Sequence, residues 1–169
     1  HFGLEAEVDL VMGTFSKTFA SIGGVVVGGA TVVSYIKHHA RPLIFSAAAT
    51  PASVASVLAI LDMLENEPAL RTRLWAVTEK MRTGLRAMGY DTGPSQTPII
   101  PVVVGDDEKC FMLWRLLREE GIFTTPVVSP AVPKGQALVR TSYGAGHTDE
   151  ELDAVLAAFE KCGRALGII

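Results

Sequence analysis

The sequence predicts an α/β protein, and three patterns carry that expectation. Two short β-branched runs flanked by glycine stand near the N-terminus, apolar residues at helical spacing run from Leu70 to Met88, and strand-like and helix-like segments alternate from about residue 90. In the order strand, helix, strand, strand, helix, that last stretch describes a small two-layer α/β sandwich. A length of 169 residues suits one compact domain, or one domain with a piece of a neighbour. Hydrophobic residues make up 49% and charged residues 20%, which supplies a core and excludes a disordered chain.

Taken in order, Val8 to Met12 reads as a buried strand leading into Gly13-Thr14-Phe15-Ser16-Lys17-Thr18. Gly23 to Gly29 is a β-branched run bracketed by glycine pairs, which suits a second strand entered and left by tight turns. A short helix is expected from Thr31 to His39, ended by Pro42, with Leu43 to Ala49 an irregular or extended connection. Thr50-Pro51 has the form of a helix start, Thr as cap and Pro in the first turn, followed by Val54, Val57, Leu58, Leu61 and Leu64. Pro68 opens the next helix, whose Leu70, Leu74, Val77, Met81, Leu85 and Met88 form one stripe closed by Gly89.

Beyond the turn-rich stretch from Asp91 to Pro98, Ile99 to Val104 reads as a strand. Asp106 or Asp107 caps a helix whose apolar face includes Phe111, Trp114 and Leu117, and Gly121 stops it. Ile122 to Val128 is extended, Ser129 to Gly135 is a loop, and Ala137 to Tyr143 returns as a strand. Thr148-Asp149-Glu150-Glu151 is a capping box opening a helix that turns Leu152, Val155, Leu156 and Phe159 inward.

Charge and composition exclude several function classes. Fifteen Lys and Arg against 18 Asp and Glu give a net charge of -3, without the basic cluster that nucleic-acid binding needs. Cys110 and Cys162 have no metal-ligand spacing, so free buried thiols are expected rather than a disulfide framework or a zinc site. No stretch approaches the roughly 20 apolar residues of a membrane span, and the first residues lack a signal-peptide pattern, so the cytoplasm is the expected compartment. The first residue is not Met, which suggests a chain that begins inside a longer polypeptide.

Polar chemistry concentrates around Lys17, which follows a strand, sits among small hydroxyl residues and precedes a glycine-rich segment where backbone can approach an anion. A lysine in a partly desolvated place loses its proton more readily, and the neutral amine can condense with an aldehyde. The same pattern also fits an ordinary surface lysine. A Walker A loop fails, because Ser16 stands where the second glycine is required and Gly13 lies only four residues before Lys17. Gly23-Gly24 and Gly28-Gly29 flank a β-branched run instead of opening a helix, which argues against a dinucleotide fingerprint. His38 and His39 read as solvent-facing, and Asp9 as a strand-edge residue.

The segment VDLVMGTFSKTFASIGG, ending at Gly24, resembles the cofactor-lysine segment of the α-oxoamine synthases, fold-type-I enzymes dependent on pyridoxal 5'-phosphate. Arg41-Pro42-Leu43-Ile44-Phe45-Ser46 resembles the family's segment before its interdomain helix. Gln136 to Ser142, with Arg140, followed by His147-Thr148, resembles its C-terminal arginine motif. GTFSKTFASIGG, RPLIFSA, SQTPIIPV and VVSPAVP are most similar to the bacterial serine palmitoyltransferase branch.

The resemblance implies the end of a large cofactor domain over residues 1–50, an interdomain helix over 51–67 and a small C-terminal α/β domain over 68–169. It makes Lys17 the catalytic lysine that carries the cofactor and moves the proton at the substrate's α-carbon. Thr14 and Ser16 become phosphate contacts, with Ser46 a weaker one because Ala47-Ala48-Ala49 replace the usual hydroxyl run, and Arg140 becomes the carboxylate holder. Without the resemblance, Arg140 reads equally as a solvated or ion-paired arginine. His147 matches the family but stands beside a helix cap, which favours a structural role. No metal is implied.

The implied reaction is a decarboxylative Claisen condensation of an amino acid, L-serine by preference, with an acyl-CoA, palmitoyl-CoA by preference, at the start of sphingolipid synthesis, in a cytoplasmic homodimer. Sister activities remain open: 8-amino-7-oxononanoate synthase, glycine C-acetyltransferase, or a secondary-metabolite enzyme fed by an acyl-carrier protein. A non-catalytic dimerisation module is the alternative from another class. The family's ring-stacking histidine and its pyridine-nitrogen aspartate belong upstream of this sequence.

Overall fold

Helix and strand signals resolve, among the described residues, into eleven regular elements and one 3-10 turn at Glu5–Glu7. The computed structural model describes residues 2–169, and His1 lies outside them. Two compact units meet in sequence after Glu67.

In the first unit, β1 (Leu10–Thr14) and β2 (Gly24–Gly28) pair antiparallel from Leu10↔Gly28 to Thr14↔Gly24. β1 starts two residues later than expected, and it is exposed where a buried strand was anticipated. A two-stranded ribbon has too few neighbours to bury itself. α1 (Ala30–His39) and α2 (Arg41–Ile44) follow. Pro42 therefore does not merely end a helix: it lies in the first turn of α2, where its missing N–H leaves no bond unmade. α3 (Pro51–Asn66) is capped by Thr50, whose hydroxyl accepts from the Ser53 amide at 3.3 Å. Of its apolar residues Val57 is buried, whereas Val54, Leu58, Leu61 and Leu64 are exposed.

The second unit is a two-layer sandwich. α4 (Pro68–Ala87) leads to β3 (Ile99–Gly105), α5 (Asp107–Glu119), β4 (Thr125–Val127), β5 (Ala137–Ser142) and α6 (Asp149–Ala165). The sheet order is β3-β5-β4, all antiparallel, with β5 in the middle. Only Thr125–Val127 of the expected extended stretch from Ile122 to Val128 pairs as strand. Ile100, Val102, Ala137 and Val139 point to the helices, against Val77, Met81 and Leu85 of α4, Leu113 and Leu117 of α5, and Leu152 and Phe159 of α6. On α5 the buried face runs through Cys110, Leu113 and Leu117, while Phe111 is 47% exposed, contrary to the expected face. Both cysteines are free and buried.

Local chemistry fixes these boundaries. Asp106 caps α5, accepting from the Lys109 amide at 2.8 Å. Thr148 and Glu151 form the full capping box on α6, with bonds of 3.2 and 2.8 Å. Tyr90 donates to the Phe159 carbonyl at 2.7 Å and needs Gly163 beside it, because a Cβ there would collide with the phenol oxygen. Arg73 and Lys80 of α4 pair with Asp149 at 3.3 and 3.5 Å, and Lys80 with Asp153 at 2.6 Å. No helix among the described residues is long and apolar enough to cross a membrane.

Phe159→Ala should destabilise the protein by about 3–5 kcal/mol and Thr148→Ala by about 1 kcal/mol, read as shifts in urea midpoint at constant slope. The hydrogen bond and charge of Arg73 hold the Asp149 carboxyl below its usual range. The stabilisation from this pair is therefore present above the ordinary carboxylate pKa and lost as the pH falls through the lowered one. Arg73→Gln should narrow the difference between urea midpoints at pH 6 and pH 3.

Candidate active site

The hairpin between β1 and β2 presents the lysine. Its nine-residue loop, 15–23, is tied by three backbone bonds: Phe15 N–H to Gly23 O at 3.0 Å, Ser21 N–H to Phe15 O at 3.0 Å, and Ala20 N–H to Lys17 O at 2.9 Å. Ala20 takes a left-handed conformation at φ 47°, and Phe15 and Phe19 stack edge to face at 5.5 Å. The loop thereby has one defined shape, with Lys17 in its first half. At its base the Ser16 hydroxyl donates to Thr14 Oγ1 at 3.4 Å, so Thr14, Ser16 and Lys17 stand together.

Glycine is required beside them. A Cβ on Gly24 would lie 2.6 Å from the Gly13 carbonyl oxygen, closer than real Cβ atoms come. A cavity of about 360 Å³ adjoins this spot, lined by Met12, Gly13, Thr14, Gly24, Val33 and Lys37 among others.

The amine of Lys17 is exposed in this chain, where partial desolvation was expected. Both strands of the ribbon that carries it are largely exposed. No carboxylate among the described residues pairs with Lys17. Ser46, also in the first unit, is exposed after α2, and no hydrogen bond among the described residues joins it to the hairpin. His38 and His39 are exposed, each ring Nδ1 bonded to the carbonyl four residues earlier.

Arg140 stands in the second unit on the middle strand β5, in register with Pro101 of β3 and Thr125 of β4. Its neighbours Val139 and Thr141 are buried, so the guanidinium projects from the face opposite the helices. Like Lys17, it has no carboxylate partner among the described residues, a property it shares with Arg41, Arg71, Arg86 and Arg118. His147 is held by its own turn: Nδ1 accepts from the Gly144 amide at 3.1 Å, and its carbonyl accepts from Arg73 at 3.0 Å. No group of three or more His, Cys, Asp or Glu gathers as metal ligands among the described residues.

The family model for class I and II aminotransferases matches residues 1–159. The chain belongs to that family. It is 46% identical over 168 residues to a serine palmitoyltransferase of Bacteriovorax stolpii, covering 99% of this chain and 40% of that protein. It is 42% identical over 169 residues to an 8-amino-7-oxononanoate synthase of Thermoanaerobacter pseudethanolicus, covering 100% of this chain and 43% of that one. Among solved structures, a serine palmitoyltransferase of Sphingomonas wittichii matches with TM-score 0.93 at 36% identity, over 99% of this chain and 42% of that one. A high-resolution structure of SPT with the PLP internal aldimine matches with TM-score 0.92 at 35% identity, over 99% and 42%. The chain thus spans about two-fifths of the length of the relatives it matches, and it has the fold-type-I architecture of these enzymes.

For this aminotransferase-family chain, the family resemblance singles out Lys17, whereas the openness of its hairpin and the exposure of Arg140 depend on tertiary structure. The hydroxyls of Thr124 and Tyr143 in the second unit are buried without a hydrogen-bond partner among the described residues, which nothing local in the sequence marks. Gly24→Ala should weaken the hairpin by about 1–3 kcal/mol. Hydrogen exchange at the Phe15 and Ser21 amides would then accelerate about 5- to 150-fold.

Proposed function

We propose that this chain carries the cofactor lysine and the carboxylate-binding arginine of an α-oxoamine synthase, a homodimeric acyltransferase that uses pyridoxal 5'-phosphate. The observation that carries this reading is the placement of Lys17 on a hydroxyl- and glycine-rich hairpin and of Arg140 on the exposed face of a sheet, in a chain of this family.

The residues present suit the cofactor. Two hydroxyls 3.4 Å apart offer donors to a phosphate, the Gly13–Gly24 contact keeps side chains away, and no carboxylate holds the Lys17 amine. Thr14 and Ser16 would hold the phosphate, with Ser46 a further hydroxyl, and Lys17 would bind the aldehyde. When bound, the cofactor supplies an electron-withdrawing ring that disperses negative charge from the substrate's α-carbon.

Arg140 orients the amino acid, because its planar guanidinium gives the carboxylate two parallel charged hydrogen bonds. Lys17 would remove the proton from the substrate's α-carbon and later return a proton to the same carbon. In the overall reaction the α-carbon bonds to the thioester carbonyl carbon, the thiol leaves, and the carboxyl group departs as carbon dioxide. The amino ketone formed from L-serine and palmitoyl-CoA is 3-ketodihydrosphingosine, the first intermediate of sphingolipid synthesis. This pair is favoured by the likeness to serine palmitoyltransferases. A second reading, an 8-amino-7-oxononanoate synthase or similar enzyme using another amino acid and a CoA or carrier-protein thioester, is favoured by a likeness nearly as great.

Borohydride treatment of the full-length protein loaded with pyridoxal phosphate should fix the cofactor to Lys17, as located by peptide mass spectrometry, and Lys17→Ala should lose both label and turnover. A label confined to another lysine would sink the reading. Arg140→Ala should raise the KM for the amino acid about 10- to 150-fold with the label on Lys17 intact, and Arg140→Lys should recover only part of the loss. Turnover of serine with palmitoyl-CoA above alanine or glycine supports the first substrate pair; the reverse order supports the second.

A further inference from the structure

Selectivity between amino acids needs a group that reaches beyond the α-carbon, and the open face of the second unit's sheet holds a candidate. Around Arg140 that face presents Leu138 and Ser142 along β5, Pro101 across on β3 and Thr125 across on β4. Residues directly opposite in an antiparallel pair have Cβ atoms about 4.5–5.5 Å apart, whereas Ser142 stands about 7 Å along the strand. Pro101 carries no polar side-chain atom, and the backbone of Gly93 packs upon it, where an added Cβ would lie 3.6 Å from the ring's Cγ. The polar side chain closest in register to Arg140 is therefore that of Thr125.

Its hydroxyl is free to meet a ligand. Thr125 is half-buried, and its side chain makes no hydrogen bond among the described residues. The unpaired hydroxyls of Thr124 and Tyr143 are sealed inside the protein, and that of Thr125 is not among such atoms. Thr141, the neighbour of Arg140 on β5, faces the core and donates its hydroxyl to the Ile100 carbonyl at 2.8 Å. Local chemistry also holds Thr125 in place. As the residue before Pro126 it is restricted to an extended backbone, and its β-branch restricts χ1. A side chain fixed in this way loses little conformational entropy when it pairs with a ligand.

We propose that Thr125 is a specificity-determining residue: its hydroxyl pairs with the β-hydroxyl of an amino acid held by Arg140, and so selects a β-hydroxy amino acid over alanine or glycine. The assignment rests on the α-oxoamine synthase reading. In such a substrate only the α- and β-carbons separate the carboxyl group from the hydroxyl, which suits two recognition groups side by side on neighbouring strands. Arg140 alone meets every amino acid alike. When an apolar side chain enters instead, the Thr125 hydroxyl loses solvent without gaining a partner, which is unfavourable.

The test is steady-state turnover by the full-length protein loaded with pyridoxal phosphate, with palmitoyl-CoA as the acyl donor and kcat/KM compared for L-serine and L-alanine. Thr125→Val keeps the shape and removes the hydroxyl. It should lower the serine-to-alanine ratio about tenfold, through the KM for serine, and leave alanine unweakened. Thr125→Ala, which asks for no branched side chain to fit, should lower the ratio as well, and Thr125→Ser should keep most of the preference. Borohydride should still fix the cofactor to Lys17 in each variant. With that label in place, an unchanged ratio in Thr125→Val and Thr125→Ala overturns the role of Thr125, and so do equal losses for serine and alanine, the mark of a purely structural residue. Absence of the label from Lys17 in the wild-type protein overturns the parent reading instead, and this assignment with it.

Discussion

Ala137, Val139 and Thr141 of β5 must face the helices, and because side chains alternate along a strand, Arg140 must face away from them. That single parity governs the second unit. β5 is the middle strand, so slipping its register by one residue against β3 would bury a guanidinium and expose Val139 together. A buried unpaired arginine is among the most unfavourable groups a core can contain. The position of Arg140 on the open face is therefore enforced by the packing of Leu113, Leu117 and Phe159 on the far side of the sheet, residues with no chemical role of their own.

The first unit holds its lysine by different means. It has almost no core, and the hairpin owes its shape to backbone bonds and to the closeness that Gly24 permits with Gly13. Elements with few buried contacts open readily, so the Lys17 loop is the softer of the two functional supports. In the proposed chemistry a rigid sheet would fix the carboxylate and a softer loop would carry the amine that changes its bonding, a division that suits both tasks.

How far the sequence could be read follows from how local each cause is. The capping box at Thr148–Glu151 and the stripe from Val77 to Leu85 arise within a turn or two of helix, and both stand where the pattern put them. The face of α5 was misjudged because a large aromatic, Phe111, outweighed a small thiol: Cys110 lies in the core, its Sγ donating to the Leu138 carbonyl at 3.2 Å, and the face is turned accordingly. Pro42 looked like a stop and is a start, since proline serves both the end of one helix and the first turn of the next. The exposure of β1 was illegible, because an apolar run reports what a strand can bury and not whether anything covers it. At the site, the spacing around Lys17 alone could not separate a cofactor lysine from a surface one. The family likeness favours the cofactor lysine.

In the proposed roles, Lys17 and Arg140 act on features that every amino acid shares, the α-hydrogen and the carboxylate, so neither would tell serine from alanine. Those substrates differ by one hydroxyl, and such a difference is read only one way with force. A site that hydrogen-bonds the hydroxyl leaves its own polar group unpaired when alanine enters, whereas a merely apolar pocket discriminates weakly against the extra oxygen. Selectivity for serine therefore requires a buried polar group aimed at the substrate's β-carbon substituent. Neither assigned residue supplies one, because each is already committed to another atom of the substrate.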